Sequence, residues 1–274
     1  MAARLAVVIA ETQIGRPDAP SDAPSARARF QAVLFDNGGT LFARLPAAEA
    51  IRRLAAARGL EISLDQAQRS WREVKAAKSK SPAARLARNR SANAHRAAYL
   101  AFYRPLDDLC PGLAEAMYLE YKTSPETMVP YADTPAALRR LREAGVAIGI
   151  VSNTGWNIRA GYERAGLADL IDVFVLSHEH DAAKPDPVLI EVACARLGVP
   201  PRQTLMVGND APADGGAAAG VGCACLILPP APVGSVRGLD HVLALAGLAT
   251  PLAATPPATL AATPPATPPA TPPA

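Results

Sequence analysis

Four short stretches of the sequence place polar side chains directly after apolar runs or turns. They are FQAVLFDNGGTLF (30–42), VAIGIVSNTGWN (146–157), DAAKPDPVLI (181–190) and TLMVGNDAPADGGAAAG (204–220). Each contains residues suited to binding phosphate or a cation. In the first stretch a short buried strand is predicted to end at Asp36, with a loop of small residues behind it. Ligands bind at this end of the strands in open α/β sheets, so Asp36 is the first candidate catalytic residue.

The elements that must position these residues alternate between strand and helix after Pro130. Strands are predicted at 146–151, 173–176, 204–207 and about 221–228, and helices at 134–144, about 157–166 and 187–198. Asp133 is the predicted N-cap of the first of these helices. The alternation predicts a parallel sheet with right-handed crossovers, and therefore an α/β fold.

The pattern of residues 43–128 is helical, with no convincing strand. Helices are predicted at 46–59, 64–77, 92–103 and 112–121. Charge is uneven in this region, because the stretch from Arg69 to Arg96 contains nine Lys/Arg residues and one acid. A solvated helix face is the favoured interpretation of such a run, and a positive lid that attracts anionic substrates is the alternative.

The two ends of the chain lack the periodic apolar residues of a packed element. Residues 1–29 are predicted to be a disordered leader, and residues 250–274 a disordered Pro/Ala/Thr-rich tail. No apolar run approaches the ~20 residues that span a bilayer. Glu11 interrupts the apolar start too early for a secretory signal. We therefore expect a cytoplasmic protein with no membrane partner.

Composition limits the remaining function classes. Half of the 274 residues are hydrophobic, which is enough for a sizeable core. The net charge of +3 is too small to indicate nucleic-acid binding, and no nucleic-acid partner is predicted. The four cysteines are best explained as small core thiols, because no second Cys or His cluster has the spacing of a metal site. The oligomeric state is not predicted by any feature of the sequence.

Taken in order, the four stretches resemble the four motifs of the haloacid dehalogenase-like hydrolase superfamily. The resemblance covers about residues 30–245, and four ordered motifs are far more specific than one, since an Asp followed closely by Gly-Gly, as at 36–39, is by itself common in turns. It implies a Rossmann-like parallel sheet core, built from residues 30–42 and 129–249. It also implies an all-helical cap domain inserted at 43–128, as in the subclass whose cap follows the first motif, closes over the catalytic aspartate and selects the substrate.

The same resemblance implies roles for individual residues in a phosphatase mechanism. Asp36 would be the nucleophile that forms an aspartyl-phosphate, and Lys184 would pair with Asp36 and with the transferred group. Contacts to the substrate are implied for Ser152, Asn153 and Gly39. A site for Mg²⁺, which prefers oxygen ligands, is implied at Asp36, Gly38, Asn209, Asp210 and Asp214. The expected substrate is a small anionic molecule, a phosphorylated metabolite.

Two positions depart from the pattern of the family. The first motif usually carries a second Asp two residues after the nucleophile, where this chain has Gly38. That carboxylate would protonate the leaving group, whereas the backbone carbonyl that would reach Mg²⁺ is still present in glycine. The fourth motif usually begins Gly-Asp, and here Asn209 follows Gly208 and precedes Asp210. Metal affinity is therefore in question, although an Asn side chain still offers an oxygen.

Three hypotheses follow from these departures. The first is a Mg²⁺-dependent phosphatase, slow if the general acid is missing. The second is a metal-free haloacid dehalogenase, because those enzymes also lack the second Asp, although the Asn209–Asp214 spacing resembles the phosphatase branch. The third is a non-enzymatic relative that uses the fold to bind a ligand or a protein. We rank them in this order, and the sequence does not specify the substrate.

Overall fold

The computed structural model describes residues 6–8, 28–77 and 87–248. Its strands are β1 (Ala6–Val8), β2 (Ala32–Phe35), β3 (Phe42–Arg44), β4 (Met128–Pro130), β5 (Ala147–Ser152), β6 (Val173–Leu176), β7 (Thr204–Gly208) and β8 (Ala224–Ile227). Its α-helices are α1 (Ala47–Ala56), α2 (Leu64–Ala77), α3 (Ala92–Tyr103), α4 (Leu113–Ala116), α5 (Thr134–Glu143), α6 (Arg159–Arg164), α7 (Val188–Leu197), α8 (Gly216–Gly220) and α9 (Asp240–Leu245).

Six of the described strands form one sheet in the order β1-β8-β7-β2-β5-β6. β2 pairs in parallel with β5 and with β7, so Phe35 lies opposite Ile150 on one side and Val207 on the other. β6 and β8 extend the sheet in parallel, whereas β1 adds to β8 in the antiparallel direction. The five parallel strands with helices between them confirm the predicted Rossmann-like α/β fold.

The central strand β2 is buried on both faces, which explains why its sequence AVLF shows no polar alternation. Val33 and Phe35 belong to the apolar core on one side of the sheet, and Leu34 belongs to the core on the other. The carboxyl ends of neighbouring parallel strands share one edge of the sheet. The residues that follow β2, β5 and β7 are therefore brought together at that edge.

The helices between β3 and β4 form a separate layer, which we call the helical insert (residues 45–127). Helices α1 to α4 pack around a core of their own, in which Ile51, Leu54, Leu106 and Met117 are buried completely. This core is distinct from the two that cover the faces of the sheet. Amphipathic helices with one apolar stripe account for such a layer.

Two predictions for the helical insert were wrong in detail. The interval 43–128 was expected to contain no strand, yet β3 and β4 pair in an antiparallel ladder at the base of the insert. Strands of three residues are too short to show the alternation by which a strand is recognised. The helix predicted at 112–121 is instead the short α4, which continues as a π-helical segment, Met117–Lys122.

The leader differs from the prediction at one place. Ala6–Val8 form the edge strand β1, whereas residues 1–29 were expected to be a leader that is mostly disordered. The rest of the leader up to residue 27 and the predicted tail at 250–274 lie outside the described residues. Within the part of the chain that the structure describes, no helix is both long and apolar enough to cross a bilayer. The cytoplasmic location stays a prediction.

Candidate active site

Three ionisable side chains meet at the carboxyl edge of the sheet. The Lys184 ammonium donates to Asp36 Oδ1 at 2.9 Å and to Asp214 Oδ1 at 2.6 Å. It also donates to the Val151 carbonyl at 2.7 Å. Asp36 follows β2, Asp214 follows β7, and Lys184 lies in the loop before α7. The structure thus brings the predicted nucleophile and the predicted lysine into contact across 148 residues of sequence.

Burial and mutual charge set the proton equilibria of this group. Desolvation raises the pKa of the Asp36 carboxyl from 3.8 to about 6; the neighbouring Asp214 acts in the same direction, and Lys184 opposes both. Burial alone would lower the pKa of the Lys184 ammonium, but Asp214 and Asp36 outweigh burial and raise it. Lys184 is therefore a cation throughout the neutral range, while Asp36 takes up a proton just below neutrality.

The backbone of Lys184 is clamped by Asn153. The Lys184 N–H donates to Asn153 Oδ1, and Asn153 Nδ2 donates to the Lys184 carbonyl, both at 2.8 Å. The amide of Asn153, predicted to bind substrate, is therefore used to position the lysine. Ser152 is buried at the end of β5 and lines the same cavity, and its hydroxyl has no hydrogen-bond partner among the described residues. Ser152 stays a predicted contact to the substrate.

Both oxygens of Asp214 are engaged by protein donors. Oδ2 accepts from the backbone N–H groups of Asn209 at 3.0 Å and Asp210 at 2.9 Å, while Oδ1 accepts from Lys184. A Cβ atom at Gly208 would lie 2.1 Å from Asp214 Oδ2, so the close approach requires glycine at this position. The geometry favours a positioning role for Asp214 over its predicted role as a metal ligand.

The loop after Asp36 is a tight turn around Asn37. The Asn37 carbonyl accepts from the N–H groups of Leu41 and Phe42, each at 3.0 Å. The side chain of Asn37 accepts from the buried Tyr162 hydroxyl at 3.1 Å. These bonds fix the backbone directly behind the candidate nucleophile, so Asp36 is presented on a rigid turn.

The two glycines of this loop are placed differently. Gly38 lines the cavity, lies outside the left-handed region, and would have open space around an added Cβ. Gly39 has a φ of 82°, and a Cβ there would lie 2.4 Å from Asn209 Nδ2, so this position requires glycine. Its N–H donates to the Phe42 carbonyl at 2.7 Å, and Gly39 is not among the residues that line the cavity. The position of Gly39 does not support its predicted contact with substrate.

Arg237 was not predicted from the sequence as a site residue. It fixes the loop after Asp36, which we call the nucleophile loop, through hydrogen bonds to backbone carbonyls. Its Nε donates to the Gly39 carbonyl at 2.7 Å. The other guanidinium nitrogens donate to the carbonyls of Pro229 at 2.5 Å and Leu228 at 3.3 Å. Arg237 is buried and lies 198 residues from Gly39 in the sequence, so no local pattern could have revealed this contact.

Asp133 in turn fixes the backbone of Arg237. Its Oδ1 accepts from the Arg237 N–H at 2.7 Å, and its Oδ2 accepts from the N–H groups of Gly238 and Leu239, both at 2.8 Å. Asp133 does precede α5, as predicted, but its side chain makes no cap hydrogen bond to that helix. The predicted N-cap is thus a buried anchor for a distant loop, because three charge-assisted bonds are stronger than one cap bond.

A cavity of about 330 Å³ lies over Asp36, between the edge of the sheet and the helical insert. The core wall includes Asp36, Ser152, Lys184, Asn209 and Asp210, which were all predicted site residues. The opposite wall, which we call the insert wall, consists of Arg44 at the end of β3 and of Arg88, Asn89, Tyr99 and Lys122 from the helical insert. None of these five was among the predicted site residues, although Arg88 belongs to the positive run between Arg69 and Arg96 for which a positive lid was the alternative interpretation.

Some charges of the positive run between Arg69 and Arg96 fit a solvated helix face, and others fit the alternative, a positive lid over the site. Arg69 pairs with Asp65, and Arg96 pairs with Glu115, both on the exposed surface, as expected for a solvated face. Arg88 instead lines the cavity. The residues at 78–86, within this run, lie outside the described part of the chain.

Oxygen donors suited to Mg²⁺ lie on the core wall. Asp36, Asn209 and Asp210 line the cavity, as does Gly38, whose backbone carbonyl is the implied ligand. Within the described residues, no group of three or more His, Cys, Asp or Glu side chains could hold a metal ion, so a site here must also use amide or backbone oxygens. Three carboxylates, those of Asp36, Asp210 and Asp214, line this wall of the cavity together with Lys184. The donor set therefore fits a hard divalent ion.

The fold and the aspartate–lysine centre define a hydrolase of the Rossmann-like α/β class. The chain belongs to the haloacid dehalogenase-like hydrolase family, whose model matches residues 30–222. It is 32% identical over 205 residues to the ribulose-1,5-bisphosphate 5-phosphatase of Halopiger xanaduensis, a match that covers 73% of this chain and 84% of the relative. Phosphatases are thus among its relatives.

The comparisons also include a solved structure and a dehalogenase. The crystal structure of a HAD phosphatase from Thermococcus onnurineus superposes with a TM-score of 0.52 at 25% identity, covering 79% of this chain and 98% of that chain. The (S)-2-haloacid dehalogenase of Pseudomonas fluorescens is 33% identical, but over only 85 residues, which are 31% of this chain and 37% of the relative. The similarity to the phosphatase of Halopiger xanaduensis is more extensive.

Proposed function

We propose that this hydrolase is a Mg²⁺-dependent phosphatase of a small phosphorylated metabolite that works through an aspartyl-phosphate at Asp36. The observation that carries the proposal is the bridge from Lys184 to Asp36 and Asp214, placed below a small cavity with further oxygen donors. The relatives from Halopiger xanaduensis and Thermococcus onnurineus are both phosphatases, which supports the same class of reaction.

In the proposed first step, a carboxylate oxygen of Asp36 attacks the phosphorus atom. A bond forms between the carboxylate oxygen of Asp36 and phosphorus, which gives an acyl phosphate, while the bond from phosphorus to the leaving oxygen breaks. The leaving oxygen takes up a proton from solvent, since Gly38 supplies none. Water then attacks the phosphorus, which releases inorganic phosphate and restores the Asp36 carboxylate. Lys184, 2.9 Å from Asp36, holds the carboxylate in place and lowers the charge repulsion between it and an anionic substrate.

Mg²⁺ fits this proposal through Asp36, the Gly38 carbonyl and the side chains of Asn209 and Asp210. When bound, it would neutralise charge on the phosphoryl oxygens as a Lewis acid. Asp214 would contribute by shaping the loop that carries Asn209 and Asp210, since its own oxygens are occupied. Ser152 would donate its hydroxyl to a phosphoryl oxygen, because it lines the cavity next to Lys184.

A metal-free dehalogenase reaction is the second candidate. It is favoured by Gly38, which leaves the cavity without the second carboxylate of the first motif, and by the lack of a three-carboxylate metal cluster among the described residues. In that reaction an Asp36 oxygen would attack carbon instead of phosphorus, and the carbon–halogen bond would break to release halide. Water would then hydrolyse the Asp36 ester, which releases the 2-hydroxy acid and restores the carboxylate. The relative from Pseudomonas fluorescens gives this candidate support over a short stretch only.

One assay separates the two candidates. Purified protein is incubated with aryl phosphates and with 2-haloacids, each in the presence of a chelator and again with Mg²⁺ restored. We expect release of inorganic phosphate that requires Mg²⁺ and disappears in Asp36→Asn. Release of halide with the chelator present, and no release of phosphate under any condition, would overturn the phosphatase proposal in favour of the dehalogenase.

A further inference from the structure

We propose that Arg90 is a positioning residue for Lys184, and that it acts from the helical insert through Asp181, which lies three residues before the lysine. This inference rests on the proposed function, because it gives the insert a part in presenting Lys184 to the reacting group. Arg90 Nε donates to the Asp181 carbonyl at 3.0 Å and to Asp181 Oδ1 at 3.2 Å. The contact joins two segments that are 91 residues apart in the sequence.

A buried hydroxyl fixes the insert to the core directly beside Arg90. Ser177 Oγ is completely buried and donates to the carbonyl of Asn89 at 2.6 Å. The same oxygen accepts from the N–H of Thr154 at 2.9 Å. Because this bond is shielded from water, the residue before Arg90 has a defined place on the core, and Arg90 extends from it toward Asp181.

Asp181 has a backbone conformation that needs support. Its φ is 47°, in the left-handed region, where a residue with a side chain is strained, although Asp tolerates this region better than most residues. Arg90 bonds both the carbonyl and the carboxylate of Asp181, so it stabilises the turn in this conformation. Without Arg90 we expect the turn to relax toward ordinary backbone angles.

The turn at Asp181 leads directly into the segment that carries Lys184. Ala182 and Ala183 between them are both buried. The Ala183 carbonyl also accepts from the Asp186 N–H at 3.0 Å. A short, packed connection of this kind transmits a displacement instead of absorbing it. A shift of the turn at Asp181 is therefore expected to move the backbone of Lys184.

The other support of Lys184 is linked to the insert as well. Asn153 bonds both the N–H and the carbonyl of Lys184 at 2.8 Å. Thr154, the next residue, is bound by Ser177, which also holds Asn89 of the insert. The insert thus contacts both of the segments that fix the backbone of the lysine.

The ion pair between Arg90 and Asp181 is expected to contribute little to the stability of the whole fold. The two side chains are 50% and 81% exposed, and exposed pairs are screened by solvent. Loss of Arg90 should therefore change the placement of Lys184 without unfolding the protein. An effect on kcat can then be separated from an effect on stability.

Arg90→Gln tests the proposal with two readouts in the full chain. With phenyl phosphate and Mg²⁺, we expect kcat to fall by roughly threefold to tenfold, as for the loss of one hydrogen bond, and KM to change less. Hydrogen exchange of the Lys184 N–H, followed by NMR without substrate, should become faster by a similar factor. The N–H groups of β2 are the internal reference, and their exchange should stay the same. Arg90→Lys keeps the charge and a donor, and should recover part of both losses.

Arg96→Gln is the matched control. The side chain of Arg96 is 48% exposed, and its ion pair with Glu115 joins two residues of the insert. Removing this charge should leave kcat and the exchange of the Lys184 N–H unchanged. An equal fall of kcat in Arg90→Gln and Arg96→Gln would show a general effect of charge and would overturn the positioning role of Arg90.

The inference and the proposed function fail in different ways. If phenyl phosphate is hydrolysed but Arg90→Gln changes neither kcat nor the exchange of the Lys184 N–H, the positioning role is refuted and the phosphatase remains. A fall of kcat without faster exchange at Lys184 would also refute it, because Arg90 would then act by another route. If the wild type hydrolyses no phosphate, the phosphatase is refuted, and the exchange measurement decides alone. Faster exchange at Lys184 in Arg90→Gln would support the positioning role, and unchanged exchange would overturn it.

Discussion

At the scale of single residues, the arrangement turns on one ammonium group shared by two carboxylates. Lys184 bonds to Asp214 and Asp36, and Asp214 accepts two further backbone donors. The negative charge of Asp36 is offset by fewer of these hydrogen bonds than that of Asp214. Desolvation therefore raises the pKa of the Asp36 carboxyl to about 6. A partly uncompensated, buried carboxylate is what a nucleophile requires, and it has a cost in stability.

Replacing Asp36 by Asn should abolish turnover and stabilise the fold above neutrality. The pKa of Asp36 is higher in the folded than in the unfolded chain, so its stabilising effect is present below pH 3.8 and is lost as pH rises through about 6. Asp36→Asn should therefore gain on the order of 1–3 kcal/mol in free energy of unfolding at pH 8, and little at pH 4. Urea denaturation at both pH values, with a chelator present, measures the difference.

The exposed Asp240→Asn serves as the control for removing a surface carboxylate. It should change the free energy of unfolding similarly little at both pH values. A loss of stability at pH 8 in Asp36→Asn would mean that the Lys184 bond outweighs desolvation, and that the carboxylate is not held at a cost.

Installing a carboxylate at Gly38 should restore general acid catalysis. The position lies outside the left-handed region, and a Cβ there meets open space, so the loop accepts a side chain. Gly38→Asp should raise kcat for alkyl phosphates more than for aryl phosphates, by up to ~10²–10⁴-fold, because alkoxide leaving groups need the proton most. A leaving-group series on wild type, Gly38→Asp and Gly38→Asn measures this effect. An equal gain with Gly38→Asn would exclude proton donation as the cause.

At the scale of elements, the loop that carries Asp36 is held by a distant segment. Arg237 binds the carbonyls of Gly39, Pro229 and Leu228, and Asp133 binds the backbone at 237–239. The loop after β8 thus acts as a support for the loop after β2. These bonds are made by the side chains of Arg237 and Asp133 and not by the strands of the sheet.

Arg237→Met should loosen the nucleophile loop. It leaves buried carbonyls without donors, so the free energy of unfolding should fall by roughly 2–4 kcal/mol, and kcat should fall more than KM rises. Arg237→Lys should restore part of the lost stability and part of the lost kcat, since one donor group returns to the site. The exposed Arg202→Met is the control, and urea denaturation with steady-state kinetics gives both readouts. An unchanged kcat in a destabilised Arg237→Met would leave Arg237 a purely structural residue.

The elements that the sequence predicted well are those with strong, local patterns. The helices at 64–77 and 92–103 and the strand at 173–176 have the predicted bounds, because each carries periodic apolar residues between clear end signals. The strands β3 and β4 were missed because three residues show no period.

The candidate site was predicted in part. Asp36, Ser152 and Lys184 end conspicuous apolar runs or turns, and the structure brings them to one cavity. The predicted roles of Asn153 and Asp214 stay predictions, and the sequence did not show that Asn153 holds the Lys184 backbone or that Asp214 accepts backbone N–H groups. A residue type shows which bonds a side chain can make but not which donors reach it. Arg237 depends on contacts more than 100 residues apart in sequence, which no window of the sequence displays.

At the scale of the whole molecule, the edge strand β1 of the sheet lies apart from the catalytic centre. β1 pairs only with β8, and β8 and β7 lie between β1 and β2. A chain that begins at residue 28 should therefore lose a little stability and keep its kcat/KM. Thermal unfolding and steady-state kinetics of the shortened and full chains measure this. A chain that ends at residue 248 is measured in the same way to test the tail. A large drop in kcat/KM would show that the first 27 residues reach the active site.

The central claim, that Asp36 becomes phosphorylated during turnover, is tested most directly by trapping the intermediate. The enzyme is mixed with an aryl phosphate and Mg²⁺, quenched with acid within the first turnovers, digested and mapped by mass spectrometry. We predict one phosphoryl group on the peptide that contains Asp36, at Asp36 itself, and none in Asp36→Asn. A phosphoryl group on any other residue, or phosphate release at an undiminished rate from Asp36→Asn, would contradict the account.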